Sequence, residues 1–331
     1  MRPVSTTTSR PPRRRARELL SAALTVVAAA ALCWWSLRGV DWPSLLDTLR
    51  RSSPALVALS VIGYTLAFCV LDVTGFTLVY RRHLAPGVPV RDVIVVVCGK
   101  LLPGLVFPLL TKVVAPVYFR RRWGVPALRT LGATEVLTVA DAVVLVGVVA
   151  VGALLTDGMP AVTAPLGAVV AAVLAAFLLW AWLPSARPLF PRLRANAFLS
   201  VLVRTSPAEM LVQLALRFGL VVAMALSWWL LLLATGTPLS PGHLVQFCSV
   251  FLIATQLPIS VGGYGGPQGV CVLLLSDAWG LLSQVEAVAL SLLWSTAYLL
   301  SRAVVGAAFA VPVFRLLRAG GPVEPEGAAR A

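Results

Sequence analysis

Gln256-Leu-Pro-Ile-Ser-Val-Gly-Gly-Tyr-Gly-Gly-Pro-Gln268 decides the fold of this chain. It interrupts an apolar run otherwise long enough to cross a bilayer, and its four glycines and two prolines cannot carry a helix through. Unwound backbone in hydrocarbon leaves N–H and C=O groups without partners, so it survives only where protein buries it or where it lines a wet cavity. The break therefore marks the place for a polar ligand, with Pro258, Ser260, Gly262, Gly263, Tyr264, Gly265 and Gln268 as candidate binding residues. A second broken run, Val93 to Pro116, carries Lys100, Pro103-Gly104, Pro108 and Lys112. Paired interruptions in the two halves of a membrane chain point to a transporter's binding site.

Composition sets the class. The chain has 331 residues, 59% hydrophobic and 12% charged, with a mean hydropathy of +0.91. Too little polar surface remains to cover a soluble globule, so the chain is an all-α polytopic membrane protein. A net charge of +14 would suggest nucleic acid in a soluble domain. Here the arginines cluster in short segments between apolar runs, which is the positive-inside pattern, and the partner is the anionic leaflet rather than nucleic acid. The five cysteines fall inside apolar runs without a C-x-x-C pair and read as core residues. His83 and His243 lack partners at ligand spacing, so neither metal nor cofactor is expected.

The charges also set the topology. Residues 1–18 form a basic cytoplasmic tail expected to be disordered, and Leu19 to Leu37 is an uncleaved first span, because Trp34-Trp35 stands where a cleavage site would need small residues. Arg38 to Ser53 reads as an amphipathic segment on the far surface. The further spans are Pro54 to Tyr80, Ala127 to Leu155, Ala161 to Leu183, Ala208 to Ala234 and Val285 to Leu317, before a short tail over 318–331. If both broken runs crossed the membrane, the basic loops Arg120 to Arg129 and Arg187 to Arg204 would face outward. The reading is therefore a membrane domain over 19–317 with six transmembrane helices, both termini cytoplasmic, and re-entrant hairpins at about 93–116 and 244–275. The hairpins enter from opposite sides and face each other near the midplane, an inverted-repeat-like arrangement inferred from topology rather than from repeated residues.

An ionisable residue inside a span costs roughly 2.5–3.5 kcal/mol to insert and is a functional hypothesis by default. Thr134, Thr138 and Asp141 share a stripe with Glu135 beside it. Glu209, Gln213 and Arg217 recur every four residues, Ser291, Ser295, Tyr298 and Arg302 line one face, and Asp72 shares a stripe with Thr65 and Cys69. Lys100, Pro103, Arg120, Glu135, Asp141, Arg217 and Arg302 join the glycine-rich stretch as candidate substrate-binding residues. The competing reading makes Arg217 and Arg302 structural partners of Asp141 or Asp72, and Glu209 an interfacial charge at a helix start. The glycines also leave free amides near Gly269-Val270-Cys271, suited either to an anion or to close helix packing.

Leu257-Pro-Ile-Ser-Val-Gly-Gly-Tyr-Gly-Gly-Pro-Gln-Gly-Val270 resembles the P-I-S-x-G-G-x-G-x-R-E-G signature of the flippase-like family typified by the membrane domain of lysylphosphatidylglycerol synthase. Lys112 to Gly124, with Arg120-Arg121-Arg122, is similar to that family's first-half segment. The resemblance implies a lipid-translocating bundle with two facing hairpins. Pro267-Gln268 stands where the family has Arg-Glu, so an ion pair or carboxylate used there is missing. Only a short tail follows Leu317, so no synthase activity is expected.

The function expected is translocation of a phospholipid or a polyprenyl-phosphate-linked lipid across the cell membrane, without catalysis. Arg120, Arg121 and Arg122 would gather anionic headgroups at the cytoplasmic mouth. One alternative is an accessory lipid-handling subunit serving a separate synthase or transferase. The other is a polytopic glycosyl- or acyl-transferase, for which Asp41 and Asp47 are the available carboxylates.

Overall fold

The computed structural model describes residues 52–106, 110–155, 196–237, 239–256 and 265–318, with a few single positions besides. The expected spans Leu19 to Leu37 and Ala161 to Leu183, the surface segment with Asp41 and Asp47, and both tails lie outside these stretches. The described residues are helical throughout, without a strand. Four helices are long and apolar enough to cross a membrane: α1 (Pro54–His83), α5 (Ala127–Leu155), α7 (Pro207–Ala234) and α10 (Gln284–Arg318). They coincide with four of the six expected spans. Along α1, Leu59, Ile62, Leu66 and Val70 are 54–63% exposed, and α7 presents Phe218, Val222, Leu226 and Trp229 in the same way. Such continuous apolar stripes suit acyl chains rather than water.

α1 and α7 pack antiparallel, and their side chains fix the register. Arg82 Nε lies 2.9 Å from Glu209 Oε1, Gln213 Nε2 donates to the Gly75 carbonyl (3.3 Å), Arg217 pairs with Asp72, and Ser60 Oγ donates to the Ser227 carbonyl (2.7 Å). The four-residue spacing of Glu209, Gln213 and Arg217 is thus a ladder facing α1. Glu209 also closes a capping box with Ser206, supplying partners for the first amides of α7. α10 joins the pair through Trp294 Nε1, which donates to Ser227 Oγ (3.1 Å), and through Ser301 against Thr65 (2.8 Å).

Both broken runs fold back on themselves. The first comprises α2 (Val90–Gly99), α3 (Leu101–Val106) and α4 (Thr111–Trp123). The ten residues of α2 reach about 15 Å, half the hydrocarbon thickness of about 30 Å. Pro103 does not make the break: it sits in the first turn of α3, where no intrahelical bond needs its N–H. The helix is interrupted before it, at Lys100. Asp92, near the start of the run, accepts from Arg122 Nε (2.8 Å) and Trp123 Nε1 (2.9 Å) at its end. A chain crossing the bilayer would hold those residues tens of ångströms apart.

The second run comprises α8 (Pro241–Gln256) and α9 (Gly266–Cys271), which continues into a π-helical stretch over Val272–Ala278. Here the His243 ring near the start meets the Trp279 ring just past the end, edge to face at 4.6 Å. Gly265 enters α9 at φ 101°, a conformation that a side chain would strain. The first run has its ends at the His83 and Pro207 end of the α1–α7 pair, and the second at the Pro54 and Ala234 end. The two folded-back segments therefore open at opposite ends of the bundle. Arg81, Arg82, Arg91, Arg120, Arg129 and Arg204 all gather at the His83 end.

Asp92 was not singled out from the sequence, yet it closes the first segment from a site only 1% exposed. Asp92→Ala is expected to cost about 1.5–3 kcal/mol, the range for a hydrogen bond to a charged group. Thermal unfolding in detergent measures this, and a wild-type midpoint would show that the segment is closed by other contacts.

The apolar interior is divided. At the His83 end Phe76, Tyr80, Phe119, Val136 and Met210 form one core, and at the Ala234 end Tyr64, Trp228, Phe247, Phe251, Leu275 and Trp294 form another. Between them lies a polar layer containing Asp72, Gln213 and Arg217, each less than 5% exposed.

A charged cavity between the two folded-back segments

Four-residue spacing along α1 places Tyr64, Phe68, Asp72, Phe76 and Tyr80 on the wall of one cavity of ≈ 250 Å³. α2 and α3 bring Lys100 to it, α5 brings Asp141, α7 brings Arg217, α8 brings Leu252 and α10 brings Arg302. The site is thus built from both halves of the chain and from both broken runs.

Asp72 is its centre. Arg217 Nη1 donates to one carboxylate oxygen, and Lys100 Nζ donates to the other at 3.1 Å. The Lys100 ammonium also sits 4.2 Å from the Phe76 ring centroid, a cation–π contact that holds it against α1. Asp141 Oδ1 stands 3.6 Å from Arg217 Nε, close enough to attract it but too far for a hydrogen bond. Arg217 Nη2 has no partner among the described residues. Gly75 makes room for this arrangement, since a Cβ there would lie 3.0 Å from Gln213 Oε1 and 3.1 Å from Arg217 Nη2.

Arg302 differs from the other cations. Its guanidinium lies 5.2 Å from the Tyr298 ring centroid, its buried Nε lacks a hydrogen-bond partner, and no carboxylate among the described residues pairs with it. Lys112, also on the wall, is matched by Glu135 at 3.0 Å. Four cations thus face the cavity against two carboxylates, Asp72 and Asp141. Asp72 is already engaged by two of them, and Asp141 faces Arg217 without a hydrogen bond.

The family described as the lysylphosphatidylglycerol synthase TM region matches residues 20–306. The chain belongs to that family. None of the curated proteins searched matches it significantly.

The lysylphosphatidylglycerol synthase membrane family gives the frame for the remaining candidates. Lys100, Asp141, Arg217 and Arg302 come together in the cavity, with Pro103 one residue from Gly104, beside which Arg302 Nη2 lies. Glu135 holds Lys112, while Arg120 lies exposed at the end of α4, outside the cavity. Arg122, expected to face headgroups, is bound to Asp92. Pro258, Ser260, Gly262, Gly263 and Tyr264 lie outside the described residues.

Gln268 occupies the position where the family motif carries glutamate, and it acts as the cap of α9. The Gly265 N–H donates to its Oε1 (2.7 Å) and its Nε2 donates to Ser295 Oγ (3.2 Å). The neutral amide thus provides the capping acceptor and adds a donor that a carboxylate lacks. The free amide expected at Gly269 is likewise taken, by the Gly265 carbonyl at 3.1 Å. Sequence reading missed the cavity's aromatic wall. Its signal was present in the repeat of Tyr64, Phe68, Phe76 and Tyr80 around Asp72.

Proposed function

We propose that this protein carries lipid headgroups across the cell membrane, passing them through the charged layer while the acyl chains remain in the bilayer. The carrying observation is the Asp72, Lys100, Arg217 and Asp141 network beside an open volume, midway between two segments that fold back from opposite ends. A purely structural ion-pair cluster needs no cavity beside it, and charges in hydrocarbon mark the path of a polar substrate. On this reading the two segments are re-entrant hairpins, and the arginine-rich His83 end is cytoplasmic, following the bias that orients membrane proteins. Headgroups entering there meet Arg120 first and the charged layer second. Alternating exposure follows from moving one hairpin against α10, which packs on both.

The test is reconstitution of purified protein into liposomes containing fluorescent phospholipids and polyprenyl-phosphate lipids, with outer-leaflet accessibility followed over time. Leaflet exchange faster than in protein-free vesicles is expected. The absence of acceleration for every lipid, from protein shown to be folded, would favour an accessory subunit that holds lipid for a separate enzyme. That second reading draws on Gln268, which is committed to capping α9 where the family motif carries a carboxylate.

A further inference from the structure

The composition of the cavity wall restricts what it takes, an argument that rests on the lipid-transport reading above. Asp72 is spent on Lys100 and Arg217, and Asp141 stands 3.6 Å from Arg217 Nε, while among the described residues Arg302 has no carboxylate partner and Arg217, 4% exposed, keeps Nη2 unpaired. Guanidinium N–H groups left unmatched at membrane depth are costly, and a phosphate supplies both the charge and the acceptor oxygens they need.

A cationic headgroup faces the opposite balance. Among the described residues of the wall it would meet Lys100, Arg217 and Arg302, with Asp141, already beside Arg217, as the one carboxylate not hydrogen-bonded to a cation. A lysyl ester adds two ammonium groups to a monoanionic phosphodiester and makes the headgroup a net cation. From these charges we infer that the cavity selects a lipid with a net anionic phosphate headgroup and discriminates against an aminoacylated, net cationic one. Arg302 is the principal phosphate partner, and Lys100 and Arg217 add positive charge on the same wall. The aromatic wall of Tyr64 and Phe68 is left for the uncharged part of the headgroup.

Lipid binding tests this without requiring transport. The full-length protein in neutral detergent is presented with phosphatidylglycerol, phosphatidate, phosphatidylethanolamine, lysylphosphatidylglycerol and inorganic phosphate, and retained ligand is scored by native mass spectrometry. Phosphatidylglycerol and phosphatidate are expected to bind at least about tenfold more tightly than the other two lipids, the scale of one charge-assisted hydrogen bond. Arg302→Gln is expected to remove that preference and Arg302→Lys to keep part of it, which separates loss of charge from loss of fold. Equal or tighter binding of lysylphosphatidylglycerol by the wild-type protein would overturn the inference. Inorganic phosphate binding as tightly as the anionic lipids would also overturn it, assigning the site to a free ion. If vesicles show no translocation but the anionic preference holds, only the transport reading fails. If translocation is intact without the preference, only this inference fails.

Discussion

Asp72→Asn is expected to abolish lipid movement and to cost about 3–5 kcal/mol of stability, the range for removing one partner from a buried ion pair. The asparagine keeps the shape of the side chain but withdraws the charge shared by Lys100 and Arg217, which bind its two oxygens separately. Asp141 cannot replace it, because it is already 3.6 Å from Arg217 and serves no other cation in the cavity. Two buried cations are then left with one distant carboxylate. Thermal unfolding in detergent measures the stability term, and leaflet exchange in liposomes measures the functional one. Adding Lys100→Met should recover part of the stability without recovering movement, since it removes one unmatched charge and restores no carboxylate. An Asp72→Asn protein with wild-type midpoint and exchange rate would remove the network from both fold and mechanism.

Gly306→Val is the second large effect, and it acts on the packing of the first folded-back segment rather than on charge. A Cβ at Gly306 of α10 would lie 2.6 Å from the Leu102 amide nitrogen and 2.9 Å from Leu102 Cβ. Backbone cannot swing aside as a side chain does, so α3 must withdraw from α10. Small residues at such crossings are how membrane helices approach closely. Overpacking of this kind costs about 1–3 kcal/mol. The larger consequence is positional: Leu102 is two residues from Lys100, whose 3.1 Å bond to Asp72 has no slack for a shift of an ångström. Transport is expected to fall further than stability. Equal losses in both, or a neutral substitution, would show that α3 need not be fixed against α10.

The fold was legible to the extent that hydropathy and arginine placement carry it. Basic loops at Arg120 to Arg129 and Arg187 to Arg204 argued for segments that return to their own side, and Asp92 against Arg122 and His243 against Trp279 give that return a geometry. Neither closing pair was readable, because they join residues 30 and 36 positions apart whose proximity depends on how the intervening chain folds. Among the candidate residues, the four-residue spacing on α7 disclosed a face turned toward its neighbours, but not that Arg217 would serve Asp72 and Asp141 together. Gly75 carried no readable signal at all, since its importance lies in what a neighbouring helix puts against it. The proline at Pro103 misled, as a proline in a helix's first turn is permissive rather than disruptive.

The account stands on both broken segments returning to the side from which they enter, and two-sided cysteine labelling tests this directly. With the five native cysteines replaced, single cysteines at Arg91, Arg120, Ser240 and Leu281 are exposed to a membrane-impermeant maleimide in right-side-out and in inverted vesicles. The predicted result is that 91 and 120 label only from the cytoplasmic face, and 240 and 281 only from the outer face. Labelling of 91 and 120 from opposite faces would make the first segment a full span and contradict the facing hairpins proposed above and the function built on them.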